Sequence, residues 1–180
     1  MLAPGFEETE VSTITRLLRR SGHPIALVGL AAGPVRGAYG LSLRPDRVLS
    51  EVETASPRAV VLPGGIQASR RLGADPRVHL LVRRVVDQGG YVAALESAYA
   101  VLLSAGLLPL GEAQPGNGSR AQPGAGPAPF WTGGVPPQSP ARVELDGQVI
   151  FGRDSGAAQE VALTLAWLLE QGVAREPGQW

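Results

Sequence analysis

The chain has 180 residues, 44% apolar and 18% charged, a composition that suits one globular domain rather than a disordered segment. Sixteen basic and sixteen acidic side chains leave a formal net charge of zero, so nothing favours nucleic acid or an anionic membrane as a partner. The sequence contains neither cysteine nor lysine, which excludes thiolate catalysis, disulfides, Cys-ligated metals and lysine Schiff bases. No apolar run reaches the roughly 18–20 residues of a membrane span. The opening MLAPGFEETE carries no basic stretch or long apolar segment of a secretory signal, and a cytoplasmic protein is expected.

Strand-like and helix-like patterns alternate along the chain, the signature of a parallel sheet with helices on its faces. Residues 1–3 read as the tail of a first strand, followed by a Pro4-Gly5 turn. Residues 7–20 place Val11, Ile14, Leu17 and Leu18 at helical spacing, with Gly22 where a helix C-terminus wants it. PIALVGLAA at 24–32 predicts a buried strand, and the turn residues of 35–49 predict a hairpin-like excursion. AVVL at 59–62 is the next core strand, ending in Pro63-Gly64-Gly65. Residues 76–88 predict a helix with Val78, Leu81, Val82 and Val85 on one face; 91–95 return as a strand and 97–103 as a helix.

The segment 109–140 is crowded with Gly and Pro, lacks an apolar period and predicts a long irregular loop within a single domain spanning 1–180. Residues 142–153 predict a hairpin turning at Asp146-Gly147, and 155–171 a last helix with Ser155 as N-cap. Trp167 is expected in the core or at a dimer interface, and Phe130-Trp131 as a lid or an anchor of the irregular loop. The Arg19-Arg20, Arg70-Arg71 and Arg83-Arg84 pairs are expected on solvated helix faces.

One corner carries the chemical interest. Ala94-Leu95-Glu96-Ser97-Ala98 has small residues two positions either side of Glu96, the steric requirement of a reactive side chain on a strained strand-to-helix turn. Centring the pattern on Ser97 puts Leu95 and Tyr99 at the small positions, so the exposed corner residue is Glu96.

With this corner, YVAALESAY, go GFEETE at 5–10, LPGG at 62–65 and RVELDGQVIFGR at 142–153. In order and spacing these segments resemble the DJ-1/PfpI superfamily, within the class I glutamine amidotransferase-like group. The resemblance implies a flavodoxin-like three-layer α/β/α sandwich with a mainly parallel central sheet, and a homodimer. It implies that Glu10 approaches the elbow and that amides near Gly64, Gly65 and Ser97 form an oxyanion-hole region. The family's elbow cysteine is replaced here by Glu96, and the region of the family's following histidine, 109–140, holds none. Its thiol-dependent activities therefore do not carry over.

What remains is a Glu10/Glu96 pair that would share a proton, with one pKa raised, while the helix N-terminus beside Glu96 favours its anion. Three readings stay open: a small-molecule-binding or regulatory protein, with a small polar or carbonyl-type ligand; a hydrolase or lyase using the pair as acid and base; and a chaperone-like or interaction scaffold. Under the last, Glu96 only caps its helix. His23 and His79 join no triad, no His/Asp/Glu grouping has metal-ligand spacing, and no cofactor is expected.

Overall fold

The computed structural model describes residues 1–107 and 142–171. Helix α1 (Glu8–Arg20) begins at Glu7, whose carboxylate accepts from the N–H groups of Thr9 and Glu10. Short strands β1 (Val28–Gly29), β2 (Val35–Arg36), β3 (Ser42–Leu43) and β4 (Arg47–Val48) follow, then the single-turn helix α2 (Leu49–Val52). The core continues through β5 (Ala59–Leu62), α3 (Ile66–Gly73), α4 (Pro76–Asp87) and β6 (Tyr91–Leu95). A 3-10 turn (Glu96–Ala98) leads into α5 (Tyr99–Ser104); later come β7 (Val143–Asp146), β8 (Val149–Gly152), a second 3-10 turn (Ser155–Ala157) and α6 (Ala158–Gln171).

Strands β5, β6 and β8 run parallel with β7 antiparallel outside them, in the order β5-β6-β8-β7. Beyond β5, β1 and β4 form a parallel pair, and Leu2 bridges to Gly29 in the same sense. The Met1 amine donates to Val61 O at 2.7 Å, so the first two residues join the two pieces of the sheet.

The alternation of β6 assigns the layers. Val92 and Ala94 face Leu72, Val82 and Leu102 of α3, α4 and α5, whereas Ala93 and Leu95 face Ile14 and Leu18 of α1 and Leu165 of α6. Burial on both faces is why this strand reads as an unbroken apolar run. The result is the flavodoxin-like α/β/α sandwich that the sequence resemblance implies.

Some expectations need correction, and the hairpin expected at 35–49 is present. Only Val28–Gly29 of the strand expected at 24–32 enters a ladder. Asp154, not Ser155, occupies the N-cap of the last helical segment, and its side chain makes no capping bond. Trp167 is 57% exposed and therefore not core. The excursion at 35–49 is the β2–β3 hairpin, its loop held by Glu8, whose Oε1 accepts from Tyr39 N (2.8 Å) and Leu41 N (3.2 Å). The loop expected at 109–140, with Phe130-Trp131, lies outside the described residues.

The turn after β5 depends on one glycine. Gly65 has φ +100°, and a Cβ there would lie 2.1 Å from Gly5 O. Gly22 also has positive φ (+80°), but open space surrounds it. Gly65→Ala should cost about 3 kcal/mol or more of stability in urea denaturation, against about 1 kcal/mol for Gly22→Ala. Equal losses would contradict the close packing of Gly5 on Gly65.

Candidate functional site

Strand β6 ends at fully buried Leu95, and the chain reverses at Glu96 with φ +46°, the one non-glycine residue at positive φ among the described residues. A left-handed conformation costs an L-residue about 1–2 kcal/mol, which the surrounding packing must hold in place. Ala94 and Ala98, fully buried on either side, supply that close packing.

Glu10 arrives from the first turn of α1 and is fully buried. Its Oε2 accepts the Gly64 N–H at 2.6 Å, while its Oε1 has no hydrogen-bond partner among the described residues. A Cβ on Gly64 would stand 3.0 Å from Glu96 Oε2 and 3.1 Å from Glu10 Oε2. The missing side chain at Gly64 is thus what allows both carboxyl groups to converge at the end of β5.

Burial pushes the Glu10 pKa from 4.5 up to about 7; the Gly64 N–H opposes this, and the charges of Glu96, Glu7 and Asp154 add to the rise. Glu96 is also raised, first by burial and then by Glu7 and Asp154. The helix N-terminus was expected to favour the Glu96 anion, yet the net direction is upward. The helix behind it, α5, has only six residues and opens as a 3-10 turn, so its dipole is weak against burial and two acidic neighbours. Near neutral pH, Glu10 is therefore divided between a neutral acid that can donate one hydrogen bond and an anion that only accepts.

The expected oxyanion region is differently arranged. The Gly64 N–H is already engaged by Glu10, Gly65 opens α3, and the buried Ser97 hydroxyl lies 2.9 Å from the Ser69 hydroxyl. That pairing ties the elbow to α3. Sequence reasoning missed Ser69, whose only signal is a polar residue between Ala68 and Leu72 on an apolar helix face. It also missed the electrostatic reach of Glu7, while the 154–156 turn, which the sequence offers as a cap or a pocket-facing turn, brings the charge of Asp154 to bear on Glu96. His79 Nε2 pairs with Gly73 O at 2.9 Å, and no group of three His, Asp or Glu residues able to hold a metal occurs among the described residues.

Comparison with known proteins places this geometry among relatives. A sequence profile described as "DJ-1/PfpI family" matches residues 1–166. The chain is 31% identical over 167 residues to Protein dj-1beta of Drosophila melanogaster, covering 92% of this chain and 85% of that protein. It is 28% identical over 108 residues to Deglycase PH1704 of Pyrococcus horikoshii, covering 60% and 64%. The crystal structure of a cysteine-to-alanine mutant of a DJ-1 superfamily protein from Salmonella typhimurium superposes with a TM-score of 0.76 at 31% identity, covering 96% of this chain and 89% of that one. Drosophila DJ-1beta gives a TM-score of 0.73 at 29% identity, covering 93% and 87%.

The raised Glu10 pKa has a definite sign for stability. A carboxyl group that titrates at 4.5 unfolded and about 7 folded costs nothing below 4.5, where both states are protonated. The cost grows as pH rises and is complete above about 7. Relative to Glu10→Gln, the wild type should lose about 3 kcal/mol of unfolding free energy between pH 4 and pH 8. A difference independent of pH, measured by urea denaturation, would contradict the shifted pKa.

Proposed function

Because the chain belongs to the DJ-1/PfpI family and yet has no cysteine, we propose that it is a small-molecule-binding or regulatory member without thiol-dependent chemistry, its ligand held by Glu10 and Glu96. Some relatives are named deglycases, and a pair of carboxyl groups suits a small polar or carbonyl-type ligand. At this elbow the attacking sulfur is replaced by a carboxyl group, which binds and exchanges protons far more readily than it forms covalent adducts.

One observation carries the reading: Glu10 Oε1 is buried beside Glu96 without a hydrogen-bond partner among the described residues. A buried acceptor left unpaired costs about 1–3 kcal/mol, so a hydroxyl, amide or hydrated carbonyl that satisfies it gains that much affinity. Protonated Glu10 donates to such a ligand and ionised Glu10 accepts from it, with the Glu96 carboxyl alongside as a second contact. The pKa of about 7 at Glu10 also supports the acid–base reading, in which the same pair carries out hydrolysis or elimination.

A thermal-shift screen of small polar and carbonyl metabolites should yield a ligand whose affinity falls at least tenfold in both Glu96→Ala and Glu10→Gln. Turnover of that ligand, lost in Glu96→Gln, would select the acid–base reading. A ligand that binds both variants unchanged would remove the pair from the function.

A further inference from the structure

Four acidic side chains gather at the C-terminal edge of the parallel strands. β6 and β8 run side by side with Leu95 opposite Gly152, so Glu96 and Asp154 follow the ends of neighbouring strands. Glu7 and Glu10 come from the start of α1. The Glu7 N–H donates to Gly64 O at 3.1 Å, which holds that start against the end of β5.

The charges of the described residues that act on this pair are all acidic: Glu96, Glu7 and Asp154 on Glu10, and Glu7 and Asp154 on Glu96. Arg142 reaches Asp154 at 3.6 Å, but both side chains are more than half exposed, and such a water-screened pair is worth little. Arg153, next to Asp154, pairs with Glu144 at 3.3 Å. Among the described residues, negative charge is thus collected at the elbow with a screened arginine at its margin.

A second observation points to a ligand. Glu10 is fully buried, yet its Oε1 has no hydrogen-bond partner among the described residues. A Cβ on Gly64 would lie 3.2 Å from that oxygen and 3.0 Å from Glu96 Oε2, so both oxygens lie over the same face of Gly64. Glu10 Oε2 is already taken by the Gly64 N–H, which leaves Glu10 one oxygen to offer rather than a two-oxygen fork.

Given the binding role proposed above for Glu10 and Glu96, on which this inference rests, we infer that the ligand is a small organic ammonium ion. Glu10 Oε1 and the Glu96 carboxyl accept its N–H groups, and Glu7 and Asp154 supply further negative charge. An ammonium group combines three donors with a compact positive charge. It therefore satisfies the unpaired oxygen and offsets the repulsion among the carboxylates at once. A guanidinium is best held by a two-oxygen fork, which Glu10 no longer offers. No group of three His, Asp or Glu residues able to hold a metal ion occurs among the described residues. A neutral alcohol fills the hydrogen bond but leaves the repulsion in place, and an anion increases it.

Titration with ethylammonium, ethanol and acetate at pH 8, read by carbon-13 NMR of the side-chain carboxyl carbons, tests this. At that pH Glu10 is mainly ionised and an alkylammonium ion keeps its charge. Ethylammonium should shift the Glu10 and Glu96 resonances with at least tenfold higher affinity than ethanol, and acetate should shift neither. Asp154→Asn, at a side chain that makes no capping bond, should weaken ethylammonium at least threefold and leave ethanol unchanged. Ethanol or acetate binding as tightly as ethylammonium overturns the inference and leaves the binding role of the pair standing. So does an ethylammonium affinity unaltered by Asp154→Asn. If none of the three probes shifts either resonance, the inference and that binding role fall together.

Discussion

The bond from the Gly64 N–H to Glu10 Oε2 is the constraint around which the site is built. It fixes a carboxyl group from the first turn of α1 against the end of β5, where Gly64 leaves room for Glu96 to approach from the end of β6. Three elements thus meet at one glycine. Because the meeting point is buried, desolvation exceeds the pull of the amide, and Glu10 is moved into the range where it exchanges protons near neutral pH.

This arrangement keeps the architecture of a nucleophile elbow while changing what stands on it. The positive φ at Glu96, the buried alanines either side and the Ser97–Ser69 contact form a rigid platform. A carboxyl group placed there is made more basic by burial first and then by the charges of Glu7 and Asp154, instead of being favoured as its anion. The site is suited to holding and sharing a proton.

Much of this was legible in the sequence, for identifiable reasons. AVVL and YVAAL were read correctly because strands buried on both faces are continuous apolar runs. The elbow was legible because only small residues fit beside so sharp a turn. The direction of the Glu96 shift was not, since it depends first on burial and then on Glu7 and Asp154, distant in sequence and brought near by folding. The engagement of Gly64 by Glu10 was also hidden, because Gly-Gly after a strand looks the same whether its amides face a ligand or a side chain. The strand expected at 24–32 is only partly formed for a different reason: the run has the right composition, but β4 pairs with it only at Val28–Gly29.

The central claim is that Glu10 and Glu96 form a coupled pair with Glu10 titrating near neutrality. Carbon-13 NMR of the glutamate side-chain carboxyl carbons, followed from pH 3 to pH 9, reads this directly. The account predicts an inflection for Glu10 near pH 7 and a second, coupled inflection for Glu96 displaced upward from 4.5. Independent titration of both groups at ordinary carboxylate values would contradict it.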